Sequence, residues 1–151
     1  MARRSPALDA WLLCGTLDIV YAAVASVAQG GTVSAMLHSV ASGPFGDGAR
    51  TWGFGGDVAG LATHFAIMGV MVWAFVATRR FWPAAWPWWL VGTVYGLILY
   101  LVMNAFVLPL RFGSPFPPTD MIKGAIALFP HIAFVGLPLG WMFARKDARQ
   151  C

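Results

Sequence analysis

Apolar residues run almost unbroken through four stretches of the chain, at about 8–28, 57–78, 86–108 and 120–144. A helix needs roughly 20 apolar residues to cross about 30 Å of hydrocarbon, so each stretch predicts one membrane span. The connectors between them are polar or rich in glycine and proline. Residues 79–85, "RRFWPAA", make a tight turn, and residues 109–119, "PLRFGSPFPPT", carry prolines that are expected to exclude helix. Short connectors place neighbouring spans side by side and antiparallel, which predicts an all-α four-helix antiparallel bundle forming one transmembrane domain over 1–151. The longest connector, 29–56, has Val33, Met36, Leu37 and Val40 at helical spacing before Gly43 and Pro44. It predicts a short periplasmic interfacial helix that lies at the surface or dips into the bundle mouth, with His38 as a lid residue. Asp57 is the expected N-cap of the second span.

Composition fixes the solvent. Hydrophobic residues make up 59% of the 151 and charged ones 11%, with no glutamate, where soluble domains carry about a quarter charged residues. The charge that remains is asymmetric. Arg3, Arg4, Arg79, Arg80, Arg145, Lys146 and Arg149 fall on one side of the spans, and Arg50, Arg111 and Lys123 on the other. Cytoplasmic flanks retain Lys and Arg, so both termini are expected in the cytoplasm. Trp11, Trp73, Trp82, Trp86, Trp88, Trp89 and Trp141 lie near the same face, at the level where indole rings anchor among headgroups. The net charge of +4 therefore reports topology and contact with the lipid bilayer, and gives no argument for nucleic acid. The Arg3–Arg4 pair and "SVA" at Ser26–Ala28 also suit a signal peptide, but cleavage there would discard Asp18, so the segment is read as a span. Cys14 and Cys151 have no CxxC spacing and point to neither a disulfide nor a metal.

Polar groups inside the spans are few: Asp18, His64, Asn104 and His131. An intramembrane charge costs several kcal/mol, about 2.5–3.5 on insertion scales, so such groups face the bundle interior and find partners. At about 1.5 Å per residue, Asp18 and His131 share the midplane, with His64 and Asn104 roughly 5–7 Å nearer the outer surface. Gly56, Gly60, His64, Met68 and Met71 form one stripe on the second span, and Gly92, Gly96, Met103 and Asn104 one on the third. Small residues allow close backbone approach, so Gly56, Gly60, Gly92 and Gly96 are the expected helix-packing positions. Asp18 shares its face with Gly15, Tyr21 and Ala22. Pro130 and Pro138 lack N–H groups and release the carbonyls of Ile126 and Phe134 near His131.

Several chemistries fit this set. Asp18 can serve as a hydrogen-bond clamp between spans, or as a proton, cation or ligand site. His64 and His131 are candidate ligands for haem or a transition metal, with His38 a conceivable third imidazole, although no HxxxH or HxxE pair occurs on any span. The methionines read as adaptable packing. Neither a GxSxG elbow nor a Walker loop is present, which weighs against an enzyme.

"GTLDIVYA", "SVASGPFG", "GLATHF", "YGLILYLVMNAFVLPL" and "PHIAFVGLPLG" together resemble a family of small uncharacterised bacterial inner-membrane proteins. The resemblance covers nearly the whole chain. It implies four membrane helices whose recurring motifs contain Asp18, His64, Asn104 and His131, and it implies no activity. The leading expectation is a non-catalytic accessory or structural subunit that packs against a larger membrane complex or a second copy of itself. The alternatives are a haem-, metal- or small-ligand-binding or transport module built on the Asp/His/Asn cluster, and a membrane enzyme acting on lipid or quinone.

Overall fold

The computed structural model of the protein describes residues 5–147, with side chains placed as far as Ala144. Arg3, Arg4, Arg149 and Cys151 lie outside the described residues, and of Arg145 and Lys146 only the backbone is described. Within these bounds the protein has five helices and no strand. The first, α1 (Pro6–Ala28), begins where the extended Ser5 accepts the Leu8 amide at 3.2 Å and Pro6 takes a position that needs no donor. A short α2 (Val33–Phe45) starts in the same way on Thr32, which accepts the Ala35 amide at 3.1 Å. Then come α3 (Phe54–Thr78) and α4 (Trp88–Phe112). The last, α5, joins Met121–Pro130, a widened turn His131–Gly136 and Leu137–Asp147, and is capped by Asp120 Oδ1 on the amides of Ile122 and Lys123.

Helices α1, α3, α4 and α5 are each long and apolar enough to cross a membrane, with mean hydropathies of 1.7 to 2.0. The chain is a multi-pass membrane protein with an antiparallel four-helix bundle. Four passes bring both chain ends to one end of the bundle, and α2 sits at the other, packed on α3.

Three boundaries differ from the sequence reading. Helix α2 runs through Pro44 to Phe45 and stops only at Gly46, whose φ of +80° ends the helix. Helix α3 begins at Phe54 rather than at 57, so Asp57 stands in its first turn instead of capping it; Gly53, at φ +56°, turns the chain into the helix. Helix α4 continues through Pro109 to Phe112. The reason lies one turn earlier, where Val102–Val107 is a π-helical turn. A proline ring collides with the carbonyl four residues back, and a wider turn ahead of it relieves that collision. Helix α5 repeats the device: its widened turn His131–Gly136 stands two residues before Pro138, as Val107 stands two before Pro109. The local sequences, "AFVLPL" and "AFVGLPL", are nearly the same.

Glycine sets the interhelical distances. A Cβ on Gly92 would come within 2.6 Å of the Gly136 carbonyl oxygen, and one on Gly96 within 2.5 Å of the His131 carbonyl oxygen, so α4 and α5 meet backbone to backbone. Gly56 and Gly60, expected as helix-packing positions, receive α2: a Cβ on Gly56 would strike the His38 ring, and one on Gly60 the Leu37 backbone. The dry core, around Cys14, Met68, Val72, Phe75, Tyr95 and Leu139, fills the half of the bundle nearer the chain ends. Polar bonds pin it: Trp11 Nε1 donates to the Phe65 carbonyl at 2.7 Å, and the Tyr95 hydroxyl to that of Met71.

Candidate functional site

Above that core the bundle is hollow. Helices α1, α3, α4 and α5 border a half-open cavity of about 500 Å³ whose far end is roofed by α2. Into it converge Asp18 from α1, His64 from α3 and His131 from α5. The walls are mainly apolar, and four methionines, Met36, Met68, Met71 and Met103, form part of them.

His64 reaches this place because Gly15 leaves room: a Cβ there would lie 2.6 Å from the Phe65 ring. The gap lets α3 close on α1, and His64 Nε2 comes 2.9 Å from the Gly15 carbonyl oxygen. A carbonyl only accepts, so Nε2 carries the proton and Nδ1 turns toward Asp18, with 3.9 Å to its Oδ2. That separation is too long for a hydrogen bond. His131 is fixed in the mirror sense. Its Nδ1 lies 2.7 Å from the Ala127 carbonyl oxygen, one turn back, and must donate to it, while its ring meets Tyr100 edge to face. Its Nε2 has no protein partner among the described residues. Neither has the Asp18 carboxylate any donor within hydrogen-bond distance among them. The inner end of the cavity therefore presents one unbonded nitrogen of each imidazole ring, an acceptor wherever the ring is neutral, and one carboxylate.

The sequence reading set His64 in an outer polar layer, apart from Asp18. The earlier start of α3 moves it about 4.5 Å deeper and merges the two layers. Asn104 does not join them. It lies in the π-helical turn of α4, and its Nδ2 bends back to the Tyr100 carbonyl at 3.0 Å, answering a backbone acceptor of its own helix. His38 is also remote from the cluster. Its Nδ1 and Nε2 lie 3.0 Å and 2.8 Å from the carbonyl oxygens of Arg50 and Gly53, and Asp57 Oδ1 is 3.2 Å from Nε2. Both ring nitrogens thus tie α2 to the segment leading into α3, so His38 holds the roof and cannot supply a third imidazole to a buried metal. Asp57 accepts from Ser34 Oγ at 2.6 Å and adds a second tie. Among the described residues no three His, Cys, Asp or Glu side chains come close enough to hold a metal ion together.

Sequence reasoning missed the other end of the roof. Arg111, just past the π-helical turn of α4, donates through Nε to the Gly43 carbonyl at 2.9 Å and through Nη2 to that of Ser42 at 2.6 Å, with Asp47 Oδ1 at 3.2 Å. The last carbonyls of a helix lack intrahelical donors and draw a cation. A lone arginine beside a span end, opposite a short helix that closes on Gly-Pro, was the available signal. Arg50 lines the cavity mouth, where its guanidinium bonds Ser39 Oγ at 3.0 Å and stands 3.8 Å from Asp47.

No protein family matches this chain, and comparison with curated proteins and with solved structures finds no match.

Proposed function

We propose that this protein is a membrane-embedded binding module that holds one small, largely apolar molecule inside its helix bundle, with the polar end of the guest against Asp18, His64 and His131. The observation that carries this reading is the cavity of about 500 Å³ onto which those three side chains open. Ligand sites have this character: about 300–1,000 Å³, mostly apolar, with a few convergent polar groups. The accessory role expected from the sequence leaves the hollow without a use. Two π-helical turns support the same reading, because they give the wall its irregular shape at Met103 and His131, and such turns concentrate at functional sites.

In this proposal the protein belongs with the small four-helix bacterial inner-membrane proteins that its motifs resemble. Its ends are cytoplasmic and the α2 roof periplasmic, as the distribution of arginine and lysine supports.

The experiment is purification from native membranes in a mild detergent, followed by solvent extraction and mass spectrometry, visible absorption and elemental analysis. The expected result is one organic molecule per chain, depleted in Ala22→Phe, which places a ring in the cavity. A stoichiometric haem or metal would instead move the reading to a cofactor site. Equal recovery of every small molecule from the parent and the filled variant would sink the proposal.

A further inference from the structure

If the cavity is a binding site, as proposed above, its inner end restricts what enters. We infer that the guest is an organic cation, an amine bearing an apolar body, whose ammonium group sits among Asp18, His64 and His131.

The argument starts from hydrogen-bond inventory. His64 spends its Nε2 proton on Gly15 and His131 its Nδ1 proton on Ala127, at 2.9 Å and 2.7 Å. The nitrogens that remain are acceptors in the neutral ring, and the Asp18 carboxylate accepts only. A guest that also offers only acceptors, such as a ketone, an ester or a carboxylate, leaves every group at this end without a donor. Buried polar groups require partners, and a buried charge requires an opposite one. An ammonium group supplies both the donors and the positive charge that this end lacks. The 3.9 Å between His64 Nδ1 and Asp18 Oδ2 is too wide for the two to bond each other, and a donor seated beside both can serve each.

The walls define the rest of the molecule. A bare inorganic cation fills little of 500 Å³ and finds no set of three His, Cys, Asp or Glu ligands among the described residues. An apolar body occupies the space that the ion would leave, against Ile67, Val135 and the four methionines, whose unbranched thioethers adapt to irregular shapes. The other charge on the lining, Arg50, is held at the mouth by Ser39 and stands beside Asp47, away from the inner carboxylate.

Three rigid probes of one shape test the inference on the full chain in detergent: 1-adamantylamine, 1-adamantanol and 1-adamantanecarboxylate, measured by calorimetry and by thermal shift. The amine is expected to bind at least tenfold more tightly than the alcohol, and the carboxylate least. Asp18→Asn should remove that preference, with the fold of the variant checked by circular dichroism and its melting midpoint; Asp18→Glu should restore most of it. Binding of the alcohol as tight as that of the amine, or an amine affinity unchanged in Asp18→Asn, overturns the cationic guest and leaves the cavity reading standing. Failure of all three probes to bind, with Ala22→Phe indistinguishable from the parent, overturns both.

Discussion

Pro130 has no N–H to give the Ile126 carbonyl, and Tyr21 supplies the missing donor. Its hydroxyl lies 3.0 Å from that oxygen, and its ring rests against Phe129 and Phe134 at centroid distances of 5.7 Å and 5.6 Å. Tyr21→Phe keeps the ring contacts and deletes only the bond. Interhelical bonds of this kind average about 0.6 kcal/mol and reach about 1.7 kcal/mol, so the variant should lose about 1 kcal/mol in reversible unfolding in mixed micelles. An unchanged midpoint would show that the carbonyl finds another donor. The sequence made half of this visible: proline arithmetic identifies the freed acceptor at Ile126, and helical spacing puts Tyr21 on the face of Asp18. Which side chain answers which carbonyl depends on helix rotation, which composition does not carry. Asn104 shows the same limit from the other side. Its spacing puts it on a packing stripe, but a side chain of its length can satisfy itself on the Tyr100 carbonyl of its own helix, and does.

At the scale of elements, the packing glycines differ in what they face, and the difference predicts which can be changed. Gly92 meets the backbone of Gly136, which cannot rotate aside as a side chain can. Gly92→Ala should therefore cost about 1–3 kcal/mol as overpacking. Gly55, in the first turn of α3, has nothing within 4 Å of its virtual Cβ, and Gly55→Ala should leave stability equal or slightly raised. Parallel thermal melts of the two variants check the contrast, and equal losses would refute it. The roof makes a second case. Two charge-assisted bonds from Arg111 hold the α2 carbonyls, and bonds to charged groups are worth about 1.5–3 kcal/mol, a factor of ten or more in an opening equilibrium. In Arg111→Ala, amide hydrogen exchange across Val33–Phe45 should quicken by at least that factor while α1 and the first half of α4 keep their protection. Uniform acceleration would mean that Arg111 stabilises the whole bundle and not the roof. The sequence placed a helix here but ended it at Gly43–Pro44, because proline is read as a stop. In the structure the stop is Gly46, and the prolines at 109 and 138 are absorbed by widened turns.

The whole molecule divides into a dry half and a hollow half, and these were unequally legible. Four spans, their order and their antiparallel course follow from apolar run length and loop length, which are one-dimensional quantities. The convergence of Asp18, His64 and His131 was partly visible, because intramembrane polar residues have few places to go. The hollow itself was not, since a cavity is a deficit of volume shared among helices and leaves no mark on any one of them. That deficit has a thermodynamic consequence. Ala22 lines the cavity from α1, and Ala22→Leu would fill part of it with an apolar side chain at a position already helical. Cavity filling commonly adds about 0.5–2 kcal/mol, so the variant should melt higher than the parent in the ligand-free state. Bound guest stabilises the folded protein by mass action, and a filled cavity cannot take it, so the order should reverse when a saturating guest is added to both. A protein whose interior is merely poorly packed would show the first effect without the second. Melting both proteins with and without 1-adamantylamine distinguishes the two: a crossover of the midpoints is expected, and a constant difference between them would show that the space serves no ligand.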